Sequence, residues 1–233
     1  MSEVGISSDA IFTEQWAIYR KVIDCDYMSH VEIAGRLATE VAGCSPLRVL
    51  DLGCGDMEVT SKVFDGIPEV SLTGVDSSGM ALSKAEDMIA KTSIRGMFIE
   101  SDLLAYLKNE GPSFDLILAG FSLHHLQAGE KQEFFNACSK RLAESGRLLL
   151  FDCVRPPGLP RSVTLQRYLD WIESEWTEMS LREKEQIRHH IMTSDFPEEN
   201  THLLEMGKTA GFQTQEFLEE WDSGVHSLLS FTR

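Results

Sequence analysis

Residues 48–56 read Arg-Val-Leu-Asp-Leu-Gly-Cys-Gly-Asp, and this stretch decides the fold. A short apolar run that meets two glycines one residue apart predicts a buried parallel strand entering a tight turn, with a helix after it. Gly53 and Gly55 carry no Cβ atom, so a ligand can lie directly on the backbone there. Such a turn after the first strand is where open α/β sheets bind nucleotides. A dinucleotide fingerprint would have a third glycine at position 58, and Glu58 stands there, which disfavours a pyrophosphate ligand.

Four more strands are predicted downstream, and acidic residues follow the first two of them. The second strand ends in Asp76, about 20 residues past the glycines, where a carboxylate can accept hydrogen bonds from both ribose hydroxyls. The third strand is predicted to end in Asp102, which can accept a hydrogen bond from an adenine amino group. The last two predicted strands lie in residues 114–126, which also begin a helix, and in residues 146–152.

These motifs, in this order, make the chain resemble the class I S-adenosylmethionine-dependent methyltransferases. The resemblance rests on residues 51–56, Asp76, Asp102, residues 114–125 and residues 203–212, and covers roughly residues 40–233. It implies an α/β, Rossmann-like sheet of seven strands, mostly parallel, with the last strand antiparallel. It also implies S-adenosylmethionine as cofactor and S-adenosylhomocysteine as product. The residues predicted to bind the cofactor are Asp51, Gly53, Gly55, Asp76, Asp102, Leu103, Ala119 and Tyr19.

The amino-acid composition disfavours several classes of function and location. The net charge is −16, from 37 acidic and 21 basic residues, which disfavours a nucleic-acid substrate because phosphate backbones would be repelled. The five cysteines show neither a Cys-x-x-Cys pair nor metal-ligand spacing, which is typical of reduced thiols in the cytoplasm. We also expect no signal peptide and no membrane span, because no long apolar run is present.

We expect a single methyltransferase domain over residues 1–233. Its predicted parts are N-terminal helices (10–43), a cofactor-binding core (44–154), a helical lid insert (155–197), and a C-terminal helix and strand pair (198–233). Phe12, Trp16, Tyr19 and Ile23 share one helical face, and a second helix is predicted from about His30. In the resembling family such helices often close over the cofactor and substrate, so Tyr19, Tyr27 and His30 are pocket candidates. Simple packing of the helix on the sheet is the alternative.

The predicted insert carries an apolar stripe at helical spacing, formed by Leu165, Leu169, Ile172, Trp176 and Met179. In many small-molecule methyltransferases an insert at this place shapes the acceptor pocket. The aromatic and histidine side chains predicted to touch the substrate are Tyr168, Trp171, Trp176, His189 and His190. Plain core packing is the alternative for most of the stripe.

The predicted reaction requires few catalytic groups from the protein. A methyl group on a sulfonium is already activated, so the protein must align a nucleophile at roughly 3 Å and exclude water. A general base is needed only if the nucleophile carries a proton. His124, His125 and Asp152 are the predicted catalytic residues, because they follow the fourth and fifth strands; structural bracing is the alternative for each. No His/Asp/Glu set has metal-ligand spacing, so we expect metal-independent catalysis.

The leading prediction is an enzyme of class EC 2.1.1.- that methylates a small molecule. Residues 119–122 lack the Asn/Asp-Pro-Pro-aromatic motif of DNA amino-methyltransferases, which disfavours that subclass. Two alternatives stay open: transfer of another group or modification of the cofactor, and a non-catalytic, cofactor-binding partner subunit. The acceptor atom and the oligomeric state are not readable from these residues.

Overall fold

A computed structural model of the protein describes residues 18–45 and 47–233. Seven strands in these ranges form one sheet: β1 Leu47–Leu52, β2 Val70–Asp76, β3 Arg95–Glu100, β4 Phe114–Gly120, β5 Leu142–Cys153, β6 Thr214–Trp221 and β7 His226–Thr232. Their order across the sheet is β3-β2-β1-β4-β5-β7-β6. β7 runs antiparallel to both of its neighbours, β5 and β6, and the other adjacent strands pair in parallel. The predicted mostly parallel, seven-stranded sheet with an antiparallel last strand is therefore confirmed.

The described helices are α1, seen over residues 18–24, α2 His30–Val41, α3 Thr60–Val63, α4 Gly79–Ile89, α5 Leu103–Lys108, α6 Ala128–Arg141, α7 Arg161–Glu175, α8 Leu181–Ser194 and α9 Asn200–Thr209. Short 3₁₀ helices occupy Leu123–His125 and Asp222–Gly224. Phe12 and Trp16 of the predicted first helix lie outside the described residues. No helix in the described ranges has both the length and the apolar character needed to cross a membrane.

The central strands β1 and β4 are covered on both faces of the sheet. Successive strand side chains point to opposite faces. Val49 and Leu118 therefore pack in the apolar cluster that includes Ile33 of α2, whereas Leu50 packs in the cluster that includes Phe134 of α6. Such double covering is typical of parallel sheets. The carboxyl ends of the strands remain as the edge where loops can carry functional side chains.

Two strand ends differ from the prediction, for local reasons. β3 ends at Glu100, before Asp102, because the Asp102 carboxylate accepts a hydrogen bond from the Ala105 amide at 2.8 Å and caps α5. β5 begins before the predicted Gly146, and its pairing with β4 is irregular just after Phe114. A Cβ atom at position 146 would lie 2.9 Å from the Phe114 carbonyl oxygen, so this irregularity favours glycine.

The insert, residues 155–197, contains α7 and α8 and packs against α1. All five residues of its predicted apolar stripe are buried. They share a third apolar cluster with Ile18 and Val22 of α1. The insert and α1 therefore form one wall beside the carboxyl ends of the strands.

The two ends of the insert are joined to each other. The Arg155 amide donates a hydrogen bond to the Glu198 carbonyl oxygen at 2.9 Å. The Arg155 guanidinium pairs with the carboxylates of Glu198 and Glu199, both at 2.9 Å. The chain thus leaves the sheet after β5 and returns to it at nearly the same place.

Candidate active site

A cavity of about 580 Å³ lies at the carboxyl ends of β1, β2 and β4, with α1, α2 and the insert as its outer wall. This volume falls within the roughly 300–1,000 Å³ of small-molecule and cofactor sites. The predicted residues that line it are Tyr19, His30, Asp51, Gly53, Gly55, Asp76, Asp102, Leu103, His124, His125, Tyr168, Trp176 and His190. Candidates for cofactor binding, catalysis and acceptor binding therefore share one space.

The glycine turn forms one wall of this cavity. Gly53 and Gly55 have φ values of 74° and 53°, in the left-handed region that favours glycine. A Cβ atom on Gly53 would lie 2.7 Å from the Cβ atom of Ser122. A Cβ atom on Gly55 would lie 3.1 Å from the Tyr19 hydroxyl oxygen. The turn therefore exposes bare backbone to the cavity because no side chain fits there.

Asp76 ends β2 beside the glycine turn. Its carboxylate accepts hydrogen bonds from the Gly55 amide at 3.0 Å and from the Ser78 amide at 2.9 Å. These two backbone bonds fix the carboxylate against the turn and at the cavity wall. A carboxylate held there suits the two hydroxyl donors of a ribose.

Asp51 lies near the end of β1 and is buried. Its Oδ2 atom has no hydrogen-bond partner within the described part of the chain. Burial raises the pKa of this carboxyl to about 7, a hydrogen bond with Thr60 opposes the rise, and the nearby charge of Asp76 adds to it. An orphaned buried acid at the cavity wall fits a cationic ligand group, and S-adenosylmethionine carries a sulfonium and an ammonium charge.

Tyr19 and His30 reach the cavity from α1 and α2. The Tyr19 hydroxyl donates a hydrogen bond to Asp56 at 3.3 Å, and burial together with the Asp56 charge raises the pKa of this phenol. Burial lowers the pKa of His30 to about 4, and the nearby His226 adds to this effect. His30 therefore presents a neutral ring, which packs edge-on against Phe121 with ring centroids 5.5 Å apart.

Asp102 and Leu103 line the cavity beside Ser101. The capping bond to Ala105 orients the exposed Asp102 carboxylate at the cavity rim. The predicted contact between Asp102 and the adenine amino group stays a prediction.

His124 and Asp152 form a buried pair. Nδ1 of His124 hydrogen-bonds to Oδ1 of Asp152. The Asp152 carboxylate also accepts hydrogen bonds from the backbone amides of His124 at 2.9 Å and Cys153 at 2.7 Å. The sequence predicted that Asp152 would face the cavity, but it lies behind His124 and orients the His124 ring. Burial lowers the pKa of His124, but the carboxylates of Asp152 and Asp195 outweigh burial, so the pKa is raised.

Three histidines surround the carboxylate of Asp195 at the cavity wall. Nε2 of His124 lies 3.8 Å from Oδ1 of Asp195. Nδ1 of His125 and Nε2 of His190 lie 3.4 Å and 3.6 Å from the same oxygen. All four residues, which we call the histidine–aspartate cluster, line the cavity. Burial raises the pKa of Asp195, but the histidines outweigh it, so the pKa is lowered.

The sequence patterns indicated the three histidines of this cluster but gave no indication of Asp195. Tertiary contacts bring Asp195 to the cavity. The Phe196 amide donates to the His124 carbonyl oxygen at 2.6 Å. The buried Lys131 ammonium donates to the Phe196 carbonyl oxygen at 2.7 Å. The nearby His190 was the one local sign in the sequence that this segment contributes to a site.

Four other predicted residues lie outside the main cavity, and one of them, His189, is exposed on α8. Ala119 is fully buried in β4, so that only its backbone is a candidate contact. Tyr27 stacks on Trp176 with ring centroids 5.0 Å apart. Trp171 stacks on Tyr168 and lines a neighbouring cavity of about 210 Å³. Tyr27 and Trp171 therefore support the two aromatic side chains that do line the main cavity.

Comparison with protein families gives a match in the same region. Residues 50–148 match a family described as a methyltransferase domain. The matched segment starts in β1, ends in β5, and includes the glycine turn, Asp76, Asp102 and His124. The match therefore covers the strands that build the candidate cofactor site.

Similarity to individual proteins is low or partial. The chain is 34% identical over 76 residues to ribosomal RNA small subunit methyltransferase C of Haemophilus ducreyi, covering 33% of this chain and 22% of that protein. It is 20% identical over 199 residues to carboxy-S-adenosyl-L-methionine synthase of Campylobacter lari, covering 84% and 81%. Human N-acetylserotonin methyltransferase, solved in complex with S-adenosylmethionine, aligns with a TM-score of 0.62 at 17% identity, covering 98% of this chain and 60% of that one. The chain thus spans less than two thirds of the first and third proteins.

S-adenosylmethionine fits the residues present, because the bare glycine turn, the carboxylate of Asp76 and the unpartnered oxygen of Asp51 meet at one cavity. The sheet order and the family match point to the same cofactor. Residues 50–148 therefore form a methyltransferase domain, and the chain has the fold of the class I S-adenosylmethionine-dependent methyltransferases.

Proposed function

We propose that the protein transfers the methyl group of S-adenosylmethionine to a small-molecule acceptor that binds beneath the insert. The observation that carries this proposal is the continuous cavity that reaches from the glycine turn to the histidine–aspartate cluster. One space of this size can hold a nucleoside cofactor and a small acceptor together. Its walls would exclude water from the transferred methyl group.

The cofactor would occupy the strand-end side of the cavity. In this assignment Asp76 binds the ribose hydroxyls and Asp102 binds the adenine amino group. Gly53 and Gly55 leave room for the ligand, and Asp51 balances its positive charge. The bound cofactor supplies an electrophilic methyl group, so the protein's task is to orient the acceptor.

The acceptor's nucleophilic group would meet the methyl group near the histidine–aspartate cluster. Asp152 holds the His124 ring so that Nε2 faces Asp195 at the cavity wall. We assign loss of the acceptor's proton to this cluster, with His124 and His125 as its catalytic members. General-base catalysis of this kind contributes about 10²–10⁴-fold.

The charge of the cavity favours a neutral or cationic acceptor. Among the described residues that line it, none is lysine or arginine, whereas six are acidic: Asp51, Asp56, Glu58, Asp76, Asp102 and Asp195. Tyr168 and Trp176 add aromatic surface from the insert side. A phenol, an alcohol or an amine would suit this lining, while an acceptor with several carboxylates would be repelled.

The Campylobacter lari relative supports a second candidate, modification of the cofactor itself, because it aligns over most of both chains. The name of that protein implies that a carboxyl group is added to S-adenosylmethionine. The acidic lining disfavours an anionic carboxyl donor, which is why methyl transfer is preferred. The net charge of −16 likewise disfavours an RNA substrate like that of the Haemophilus ducreyi protein. A cytoplasmic location stays a prediction from the sequence.

Mass spectrometry after incubation with S-adenosylmethionine and separate pools of phenols, amines, carboxylic acids and ribosomal RNA tests the proposal. We expect S-adenosylhomocysteine and a methylated product with the phenol or amine pool. A carboxylated cofactor without S-adenosylhomocysteine would support the second candidate. Tight, salt-sensitive RNA binding with RNA methylation would overturn the small-molecule assignment.

A further inference from the structure

The Oδ1 atom of Asp195 has an unusual environment. It is buried and makes no hydrogen bond within the described part of the chain. Ring nitrogens of His124, His125 and His190 nevertheless surround it at 3.8, 3.4 and 3.6 Å. A buried carboxylate oxygen without a well-formed hydrogen bond is costly, so this arrangement favours a cation that the oxygen and the ring nitrogens could share.

Hydrogen bonds among the four side chains do not account for these distances. A charge-assisted bond between imidazolium and carboxylate closes to about 2.7–2.9 Å. All three separations are longer by half an ångström or more. His125 Nδ1 has one other acceptor, the Ser194 carbonyl oxygen at 3.3 Å, which is also beyond a strong bond.

The distances from the ring nitrogens to Asp195 Oδ1 are instead close to the distance between neighbouring ligand atoms around a metal ion. With ligands about 2.0–2.1 Å from a tetrahedral Zn²⁺, neighbouring ligand atoms lie about 3.3 Å apart. An ammonium group with hydrogen bonds of about 2.8 Å would instead hold its partners about 4.6 Å apart. His124, His125 and Asp195 each offer a ligand atom within 4.8 Å of the other two. We infer that these three residues of the histidine–aspartate cluster bind a divalent transition-metal ion of the zinc type, with a fourth position open to the cavity.

The ligand atoms are held in place before any ion binds. The bond from His124 Nδ1 to Asp152 leaves Nε2 as the ligand atom, the arrangement commonly seen behind metal-binding histidines. The Arg161 guanidinium donates to the Asp195 carbonyl oxygen at 2.6 Å. The Phe196 amide bond to His124 joins the two segments. Such preorganisation lowers the entropic cost of assembling a site.

The donor set selects the class of ion. Two imidazoles and one carboxylate suit Zn²⁺, Fe²⁺ or Ni²⁺ better than Mg²⁺ or Ca²⁺, which prefer oxygen ligands. The ion would tie the insert to the 3₁₀ helix after β4. If the proposed methyl transfer holds, an acceptor oxygen or nitrogen entering the cavity would be an additional ligand. The bound ion would then favour its deprotonated form in place of the direct action of His124 and His125 as bases, and the proton would pass to solvent. Only this last step rests on the proposed function.

Isothermal titration calorimetry of chelator-treated, full-length protein with Zn²⁺ alone tests the site. We expect one ion per chain with submicromolar affinity, and a visible absorption band when Co²⁺ is used instead. His125→Ala should weaken Zn²⁺ binding by roughly 100-fold or more, because an exposed ligand is lost with little change to the core. Asp195→Asn should weaken it in the same direction, because the ligand loses its negative charge.

Two matched controls exclude other sites. His189→Ala removes an exposed histidine next to His190 on α8 and should leave Zn²⁺ affinity unchanged. Cys25→Ser/Cys44→Ser removes the exposed thiols and should also leave it unchanged. No binding by the wild-type protein, or equal loss in the His189 variant, overturns the metal site and leaves metal-independent catalysis. Zn²⁺ binding without methyl transfer in the assay above would keep the site and refute the function, and the reverse result would refute only the site.

Discussion

The two sides of the cavity are built in different ways. On the cofactor side, the candidate residues lie at the ends of their own strands: Asp51 near the end of β1, Gly53 directly after β1, and Asp76 at the end of β2. On the acceptor side, the histidine–aspartate cluster joins a 3₁₀ helix after β4 to the end of the insert. Cofactor geometry thus depends on local backbone, whereas acceptor geometry depends on contacts between distant segments.

This difference predicts separable functions. Changes on the cofactor side should weaken cofactor binding, and transfer should fail as a consequence. Changes in the cluster should spare cofactor binding and slow transfer alone. Each variant below is therefore measured for both properties.

The largest effect is expected from Gly53→Val. Its Cβ atom would meet Ser122 at 2.7 Å, and its branched side chain resists a φ of 74°. Calorimetry should show cofactor affinity lowered by about 1,000-fold or to below detection. Gly66→Val is the matched control, because Gly66 has a φ of 75° but no atom within 4 Å of an added Cβ. Equal affinity loss in both folded variants would assign the effect to backbone strain instead of the site.

His124→Gln should break the acceptor side alone. We expect kcat to fall by about 10²–10⁴-fold, because the cluster loses its buried, Asp152-oriented member. The dissociation constant for S-adenosylmethionine should change less than threefold, or about 0.6 kcal/mol. Steady-state kinetics and calorimetry measure the two quantities, with His189→Gln as the exposed control. A parallel loss of cofactor affinity would show that the two sides are not separable.

Asp76→Ala should give an intermediate effect on the cofactor side. Removal of a carboxylate that accepts from ribose hydroxyls should weaken S-adenosylmethionine binding by roughly 1.5–3 kcal/mol. Asp87→Ala, an exposed acid on α4, controls for the loss of one negative charge. Calorimetric affinity that is unchanged from wild type would reject the ribose assignment, provided that circular dichroism shows an intact fold.

The smallest effect is expected from Asp51 and depends on pH. The pKa of Asp51 is about 7 in the folded protein and about 3.9 when unfolded, so the folded state holds an extra proton between these values. The free energy of unfolding should therefore fall as pH rises, by about 1 kcal/mol between pH 6 and pH 8, and then level off. Urea denaturation without cofactor measures this, and Asp51→Asn should remove that part of the slope. The same dependence of the free energy of unfolding on pH in the variant would show that a group other than Asp51 causes it.

The same contrast explains what could be predicted from the sequence. The strand that ends in Asp76 and the turn at Gly53 follow from short patterns of apolar residues and glycines, so the sheet and the candidate cofactor residues were accessible. The position of Asp195 was not, because it depends on the buried Lys131 and on backbone bonds between segments far apart in the chain. The hydrogen bond between His124 Nδ1 and Asp152 was likewise not predictable, because it depends on how β5 lies beside β4.

The closure of the insert at its base has an evolutionary consequence. Arg155, Glu198 and Glu199 join the two ends of the insert, so its attachment to the sheet does not depend on the residues between them. Substitutions between these ends can change the proposed acceptor wall while the strand register and the glycine turn, which lie in other segments, keep their own contacts. New acceptors can therefore be acquired largely through the insert, as long as Asp195 and Phe196 keep their contacts with His124.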